Sequence, residues 1–161
     1  MFHYYQPTKI HFGAGQLSEL GHVCKSYGKT CFLVTTPDAP LQPLYERVKK
    51  LLDAEGIRVI HFDRVEPNPS VEIVEQGFAM LKEQPADFVL AVGGGSSIDT
   101  AKAIAFANGK DSIDWDYLFN EYNSPFAYYA SYSKEHLPLL SVPTTSGTGS
   151  QVTQAAVITR G

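Results

Sequence analysis

No apolar run in this sequence approaches the roughly 18 residues that a membrane-spanning helix requires, so no bilayer-crossing helix is expected. Basic residues are also scarce: thirteen Lys and Arg against seventeen Asp and Glu leave a formal net charge of −4 and a pI near 5.7. A phosphate backbone or an anionic lipid surface finds no surplus of positive charge here, so neither nucleic acid nor membrane is an expected partner. Two cysteines, Cys24 and Cys31, are too few for a disulfide framework. The opening residues, Met1-Phe2-His3-Tyr4-Tyr5-Gln6, lack the basic start and apolar stretch of a secretory signal. Together these predict a cytoplasmic protein with reduced thiols. The composition itself is globular, with 43% hydrophobic and 19% charged residues. A length of 161 residues suits one domain and is too short for two ordinary ones.

Several catalytic signatures are missing as well. There is no Gly-x-Gly-x-x-Gly, because Gly93-Gly94-Gly95 is followed by Ser, Ser, Ile and Gly147-Thr148-Gly149 by Ser, Gln, Val. Gly28-Lys29-Thr30 is like the end of a Walker A loop, but Val23 stands where its first glycine belongs. No Gly-x-Ser-x-Gly elbow supports a serine hydrolase. His3, His11, His22, His61 and His136 are scattered without ligand spacing, and no Cys-x-x-Cys occurs, so no metal ligand and no catalytic residue is assigned within this chain.

What is present alternates. Thr30–Thr35, Arg58–Phe62, Phe88–Val92 and Leu137–Val142 are short, continuous β-prone runs of the kind buried on both faces of a sheet. Between the first two, Leu44, Val48, Leu51 and Leu52 fall at i, i+4, i+7, i+8; between the next two, Val71, Val74, Phe78 and Leu81 fall at i, i+3, i+7, i+10. Both are helical stripes. Gly56 is placed to end the first, and Asn68-Pro69 to cap and open the second. A third helix, Ser97–Ala107, precedes Asn108-Gly109. This order predicts an α/β fold, a Rossmann-like, doubly wound, mostly parallel sheet whose ligands bind at the carboxyl ends of the strands. Thr8–Gly15 is expected as strand then turn, either at the sheet edge or paired with another subunit, and the aromatic stretch Ser112–Glu135 as a long, partly ordered connection that either carries interface or lid contacts or forms a packed loop.

Two loops carry the chemistry. Gly93-Gly94-Gly95-Ser96 follows a buried strand and opens a helix, so the backbone turns sharply beside unpaired N–H groups suited to an anion such as a pyrophosphate. Ser96 is placed to cap that helix, with Asp99 either closing a capping box or meeting the ligand directly. The second loop, Pro143-Thr144-Thr145-Ser146-Gly147-Thr148-Gly149-Ser150, sets hydroxyls and glycines after another strand, where they would serve phosphate or ribose oxygens or form a solvated turn. As a pair they describe a dinucleotide cleft.

The run Gly93–Lys102, the loop Pro143–Thr153, the Glu66-Pro67-Asn68-Pro69 turn and the opening Thr8–Gly15, in that order, resemble the amino-terminal half of iron-containing (group III) alcohol dehydrogenases over nearly the whole chain. Glycerol dehydrogenase and dehydroquinate synthase share this fold; a cofactor domain of one of those enzymes, or a non-catalytic nucleotide-binding module, is the alternative. The resemblance implies an NAD(P)-dependent oxidoreductase interconverting a small alcohol and its aldehyde or ketone. It further implies that Gly94, Gly95 and Ser96 hold the pyrophosphate and that Thr144, Thr145, Thr148 and Thr153 line the cleft. Asn68 would then approach the adenine side and Val157 the nicotinamide side. It also implies a homodimer joined through the amino-terminal edge. The ligands for Fe2+ (or Zn2+), one Asp and three His, belong in the family to an all-helical carboxyl-terminal domain. Residues 1–161 are thus read as the dinucleotide-binding domain alone, inactive in isolation, with that second domain absent.

Two positions depart from the family pattern. Many members carry Asp after the Val-Thr that ends the first strand; here Val34-Thr35 is followed by Thr36. A neutral hydroxyl does not repel a 2′-phosphate, so NADP(H) is expected to be tolerated or preferred, unless Asp38 restores the acidic contact and keeps NAD. Gln151 stands where Glu is usual.

Overall fold

Residues 7–122 and 135–160 are described by the computed structural model. Strands β1 (Thr30–Val34), β2 (Arg58–Phe62), β3 (Phe88–Gly93) and β4 (Leu139–Pro143) form one sheet in the order β2-β1-β3-β4, and every pairing is parallel. Its helices are α1 (Leu20–Lys25), α2 (Gln42–Asp53), α3 (Val71–Glu83), α4 (Gly95–Ala107) and α5 (Trp115–Glu121). Four strands and three helices lie where the apolar runs and stripes put them, to within a few residues. The doubly wound α/β class is therefore the observed one.

Side chains alternate across each strand, so the runs fill two cores at once. On one face Phe32, Val34, Val89 and Ala91 meet Val74 and Leu81 of α3 and Ile98, Ala101 and Ile104 of α4. On the other, Cys31, Leu33, Phe88, Leu90 and Val92 meet Cys24 of α1 and Tyr45, Val48 and Leu52 of α2. The chain steps from β1 out to β2, then back past β1 to β3 and on to β4. Right-handed crossovers in opposite directions place α2 on one face and α3 and α4 on the other. Cys24 and Cys31 are free and buried, and burial pushes the Cys24 thiol up to about 12 and raises Cys31 too. They serve as small core residues rather than reactive groups.

Two expectations need correction. Residues 7–12 add no edge strand to the sheet of this chain, although the turn at Gly13–Gly15 is present. A strand exists only where a neighbour supplies its ladder, and no described strand of this chain pairs with the segment; Ile10 and Phe12 are left 63% and 96% exposed. The second helix does not begin at Asn68-Pro69: its N-cap is Ser70 and its first residue Val71. Asn68 adopts a left-handed φ of 55°, and Thr159 closes a parallel bridge beside it, with Thr159 N donating to Pro69 O (2.8 Å) and Val71 N to Thr159 O (3.0 Å). That bridge supplies the partner for a helix-entry N–H that a side-chain cap would otherwise satisfy. Helix α1, six residues long, is too short to leave a readable stripe in the sequence. Of the aromatic connection, α5 is described and is pinned by Trp115 Nε1 donating to Glu75 Oε1 (2.8 Å); residues 123–134 lie outside the described residues.

Candidate functional site

Because every strand runs the same way, the loops after β1, β2, β3 and β4 share one edge of the sheet. The chain leaves β1 toward one side and β3 toward the other, so the switch point lies between β1 and β3. A doubly wound sheet opens a crevice there. Thr35 and Thr36 flank it on the β1 side, and Gly93–Ser96 on the β3 side.

The glycine loop and the hydroxyl loop interlock. Thr144 N donates to Gly93 O (2.9 Å), continuing the β3–β4 ladder past Pro143. A Cβ added at Gly94 would lie 3.1 Å from Thr145 Cγ2, and one at Gly95 would lie 3.1 Å from Thr148 Cγ2. Any side chain at either glycine would thus push against the neighbouring loop. Thr144, Thr145 and Thr148 are exposed. Helix α4 starts directly at this junction, and its first turn leaves backbone N–H groups without intrahelical acceptors. Beneath it the Ser97 hydroxyl is buried with no hydrogen-bond partner among the described residues.

Ser96 does not cap the helix: Gly94 occupies that position, Ser96 lies inside the first turn, and its carbonyl accepts from Thr100 Oγ1 (2.8 Å). No capping box with Asp99 forms, because Asp99 is used elsewhere. Its Oδ1 accepts from Ser150 Oγ (2.5 Å) and its Oδ2 from Val157 N (3.0 Å). Lys102, one turn along α4, stands 3.5 Å from the same carboxylate. Its Nζ also donates to Ser150 Oγ (3.1 Å), Thr153 Oγ1 (3.2 Å) and Ala155 O (2.5 Å). Burial pulls the Lys102 ammonium below its usual range, and Asp99 works against that pull. Thr153 and the backbone of Val157 are therefore held by this pair, while the Val157 side chain is 71% exposed.

Thr36 and Asp38 lie together beyond β1, with Thr36 Oγ1 donating to Asp38 Oδ2 (2.8 Å). Asn68 is tied to Thr159, whose Oγ1 donates to the Asn68 carbonyl (3.2 Å). Sequence reasoning missed Lys102 and Ser150. Their signal was available: a lysine three residues after an aspartate, on a helix otherwise lined with Ala and Ile, has few partners except that carboxylate. Surface hollows of about 650 and 510 Å3 also occur, around Tyr27 and Lys29 and around Lys49 and Arg58. Neither is lined by either loop. The crevice between the loops carries the anion-binding features. Among the described residues no group of three or more His, Cys, Asp or Glu could hold a metal ion.

The family model for iron-containing alcohol dehydrogenases matches residues 7–161. The chain is 39% identical over 159 residues to a probable NADH-dependent butanol dehydrogenase 1 of Bacillus subtilis, covering 98% of this chain and 39% of that protein. It is 36% identical over 159 residues to alcohol dehydrogenase 4 of Schizosaccharomyces pombe, covering 97% of this chain and 35% of that one. Among solved structures, an iron-containing alcohol dehydrogenase of Thermotoga maritima matches with a TM-score of 0.84 at 32% identity, over 99% of this chain and 42% of the other. The chain thus spans about two fifths of the length of these relatives.

Proposed function

The chain belongs to the iron-containing alcohol dehydrogenase family, and from that premise we propose that residues 1–161 are the dinucleotide-binding domain of an enzyme that moves a hydride between a small alcohol and NAD(P). The observation that carries this reading is the interlocked pair of loops at the switch point, where Gly94 and Gly95 face Thr145 and Thr148 above the open first turn of α4. A pyrophosphate fits such a cradle. Backbone N–H groups at the turn donate to its oxygens, and the missing side chains let it approach. Gly94, Gly95 and Ser96 take the phosphates, with the hydroxyls of Thr144, Thr145 and Thr148 beside them. Asp99 and Thr153 act one step back by fixing the segment that follows. When bound, the nicotinamide supplies the hydride acceptor; this chain's residues bind and orient it.

Fe2+ (or Zn2+) is placed on an all-helical part of the whole protein outside this chain, where the alcohol would also be met. The names of the relatives, butanol and alcohol dehydrogenases, favour a small alcohol and its aldehyde as the substrate pair. For the cofactor, neutral Thr36 favours tolerance of a 2′-phosphate and the carboxylate bonded to it opposes one. A cytoplasmic setting suits two free, buried thiols.

Calorimetric titration of the 161-residue chain with NADH and NADPH, with and without ferrous or zinc ions, tests the reading. Saturable nucleotide binding that is indifferent to metal is expected, with no alcohol oxidation by this chain alone. Absence of binding by a chain shown to be folded would overturn it. A homodimer formed through the opening segment is supported by the exposure of Ile10 and Phe12, which alternate with Lys9 and His11 as one apolar strand face does. Light scattering should then give twice the chain mass, and a monomeric mass at micromolar concentration would count against it.

A further inference from the structure

Positive charge gathers on a surface that neither loop uses. The hollow of about 510 Å3 between α2 and the outer strand β2 is lined by Lys49, Lys50, Arg58 and His61 against one carboxylate, Asp53. The chain as a whole carries a net charge of −4, so the sign is locally reversed. Local structure explains the grouping. Gly56 adopts a left-handed φ of 72° and turns the chain out of α2 into β2, which returns Arg58 beside the last turns of the helix that carries Lys49, Lys50 and Asp53. Arg58 and Val59 open β2, at the end of the sheet away from the crevice.

These charges are unequally spent. Lys49 Nζ donates to Glu46 Oε1 (2.9 Å) and is compensated there. Lys50 and Arg58 are exposed and enter no ion pair among the described residues. A guanidinium offers a phosphoryl group two parallel N–H donors, and an ammonium adds a point charge. Ile57 and Val59 also line the hollow, so carbon attached to the phosphoryl group would find an apolar wall. The volume falls within the range of about 300–1,000 Å3 usual for small-molecule sites.

His61 is placed to report on an occupant. Its ring meets that of Tyr45 edge-on, and its Nε2 lies 2.8 Å from Thr35 Oγ1. The Thr35 hydroxyl spends its one proton on the Thr36 carbonyl (3.1 Å), so it accepts from Nε2–H, and a second proton on the ring must go to Nδ1. Burial lowers the pKa of this ring, Lys49 lowers it further, and Asp63 and Glu46 oppose both. An anion held among Lys50, Arg58 and His61 would stabilise the imidazolium and so bind together with a proton.

We propose that this hollow is a binding site for a phosphoryl group, carried by free phosphate or by a small phosphomonoester, with Lys50 and Arg58 as its main contacts and His61 beside them. The site is separate from the crevice and does not rest on the dinucleotide reading.

The test follows the His61 Cε1 proton by NMR, its signal identified by its loss in His61→Gln. The chain is titrated at about pH 6.5, near the ordinary imidazole pKa, with inorganic phosphate or phenyl phosphate, while sodium chloride holds the ionic strength constant. The His61 signal should move toward its protonated position and saturate, with a dissociation constant on the order of millimolar or below, while the other histidines stay put. Lys50→Gln combined with Arg58→Gln should weaken binding about tenfold or more, as loss of charge-assisted hydrogen bonds implies. Lys9→Gln combined with Lys29→Gln removes the same charge elsewhere and should leave binding within about twofold. Asp53→Asn should tighten it about threefold by removing the opposing carboxylate. All five substituted side chains are exposed, so these variants keep the fold. Tighter binding of phenyl phosphate identifies a monoester as the occupant, and equal binding identifies free phosphate. An unsaturated drift, an equal response of all histidines, or equal weakening in the two double variants overturns the proposal. Gly95→Val, which disables the crevice, should bind phosphate as the wild type does, so failure of the dinucleotide reading and failure of this one are told apart.

Discussion

Replacing Asp99 by alanine should cost about 3–5 kcal/mol of folding stability, the usual consequence of removing one partner of a buried ion pair. The side chains of Asp99 and Lys102 are only 13% and 14% exposed, so solvent screens the pair little. Truncation removes the counter-charge of Lys102, whose Nζ keeps only neutral acceptors, and takes away the acceptor of both the Ser150 hydroxyl and the Val157 N–H. A domain of this size has about 5–15 kcal/mol in total, so the loss is a large share of it. With a urea slope near 2 kcal/mol per molar, the unfolding midpoint should fall by on the order of 2 M. Asp99→Asn keeps acceptor capacity for Val157 and should lose less. A midpoint within about 0.5 M of wild type for Asp99→Ala would mean that the 150–157 segment is held by something else.

The same substitution has a pH signature. Burial lowers the Lys102 pKa from its usual 10.5, and Asp99 is what holds it up. Between the lowered value and 10.5, the unfolded chain binds a proton that the folded chain does not. Stability from this group therefore rises with pH through that window, and below the window the cost of burying the charge is present in full. Without Asp99 the folded pKa falls further and the window widens downward. The stability gap between Asp99→Ala and wild type should accordingly shrink from pH 7 to pH 10. A gap constant over that range would place the damage in the lost hydrogen bonds and not in the stranded cation.

The parts of this molecule that could be read from sequence are those with a period or a punctuation mark. Strands β1 and β3 declared themselves as apolar runs because a parallel strand between two helix layers is buried on both faces, whereas the outer strands β2 and β4, read from their β-prone residues, are only partly buried. Helices α2, α3 and α4 showed their stripes and the glycine loop its position between strand and helix. The missed features depend on who the partner is. Ile10 and Phe12 alternate as a strand would, but a strand without a ladder is only an extended segment. Ser96 and Asp99 have capping-box spacing, yet the carboxylate found Ser150 and Val157, some 50 residues on in the chain. The stripe read for α2 was Leu44, Val48, Leu51 and Leu52, yet the fully buried side chains are Tyr45, Val48 and Leu52; that the Tyr45 hydroxyl reaches Thr36 depends on the turn between them.

Gly95→Val should weaken NADH binding about a hundredfold, near 2.8 kcal/mol, with little loss of stability. The two effects separate because the residue lies at the helix start, where a β-branched side chain costs only tenths of a kcal/mol in propensity. The same side chain would fall on the approach to the N–H groups of that turn. Gly95→Ala divides the mechanism further. Its Cβ would sit 3.1 Å from Thr148 Cγ2 and 3.3 Å from Thr148 Oγ1, so the exposed hydroxyl loop must shift by a few tenths of an ångström. A loss of about tenfold is expected for alanine. Thr148→Ser removes the methyl group in the way and keeps the hydroxyl. If loop displacement causes the loss, Gly95→Ala combined with Thr148→Ser should bind NADH better than Gly95→Ala alone, and calorimetry on the four proteins gives the coupling directly. If the double variant gains nothing, the added carbon obstructs the phosphate itself. Unaltered affinity in Gly95→Val would remove the glycine cradle from the account of the site.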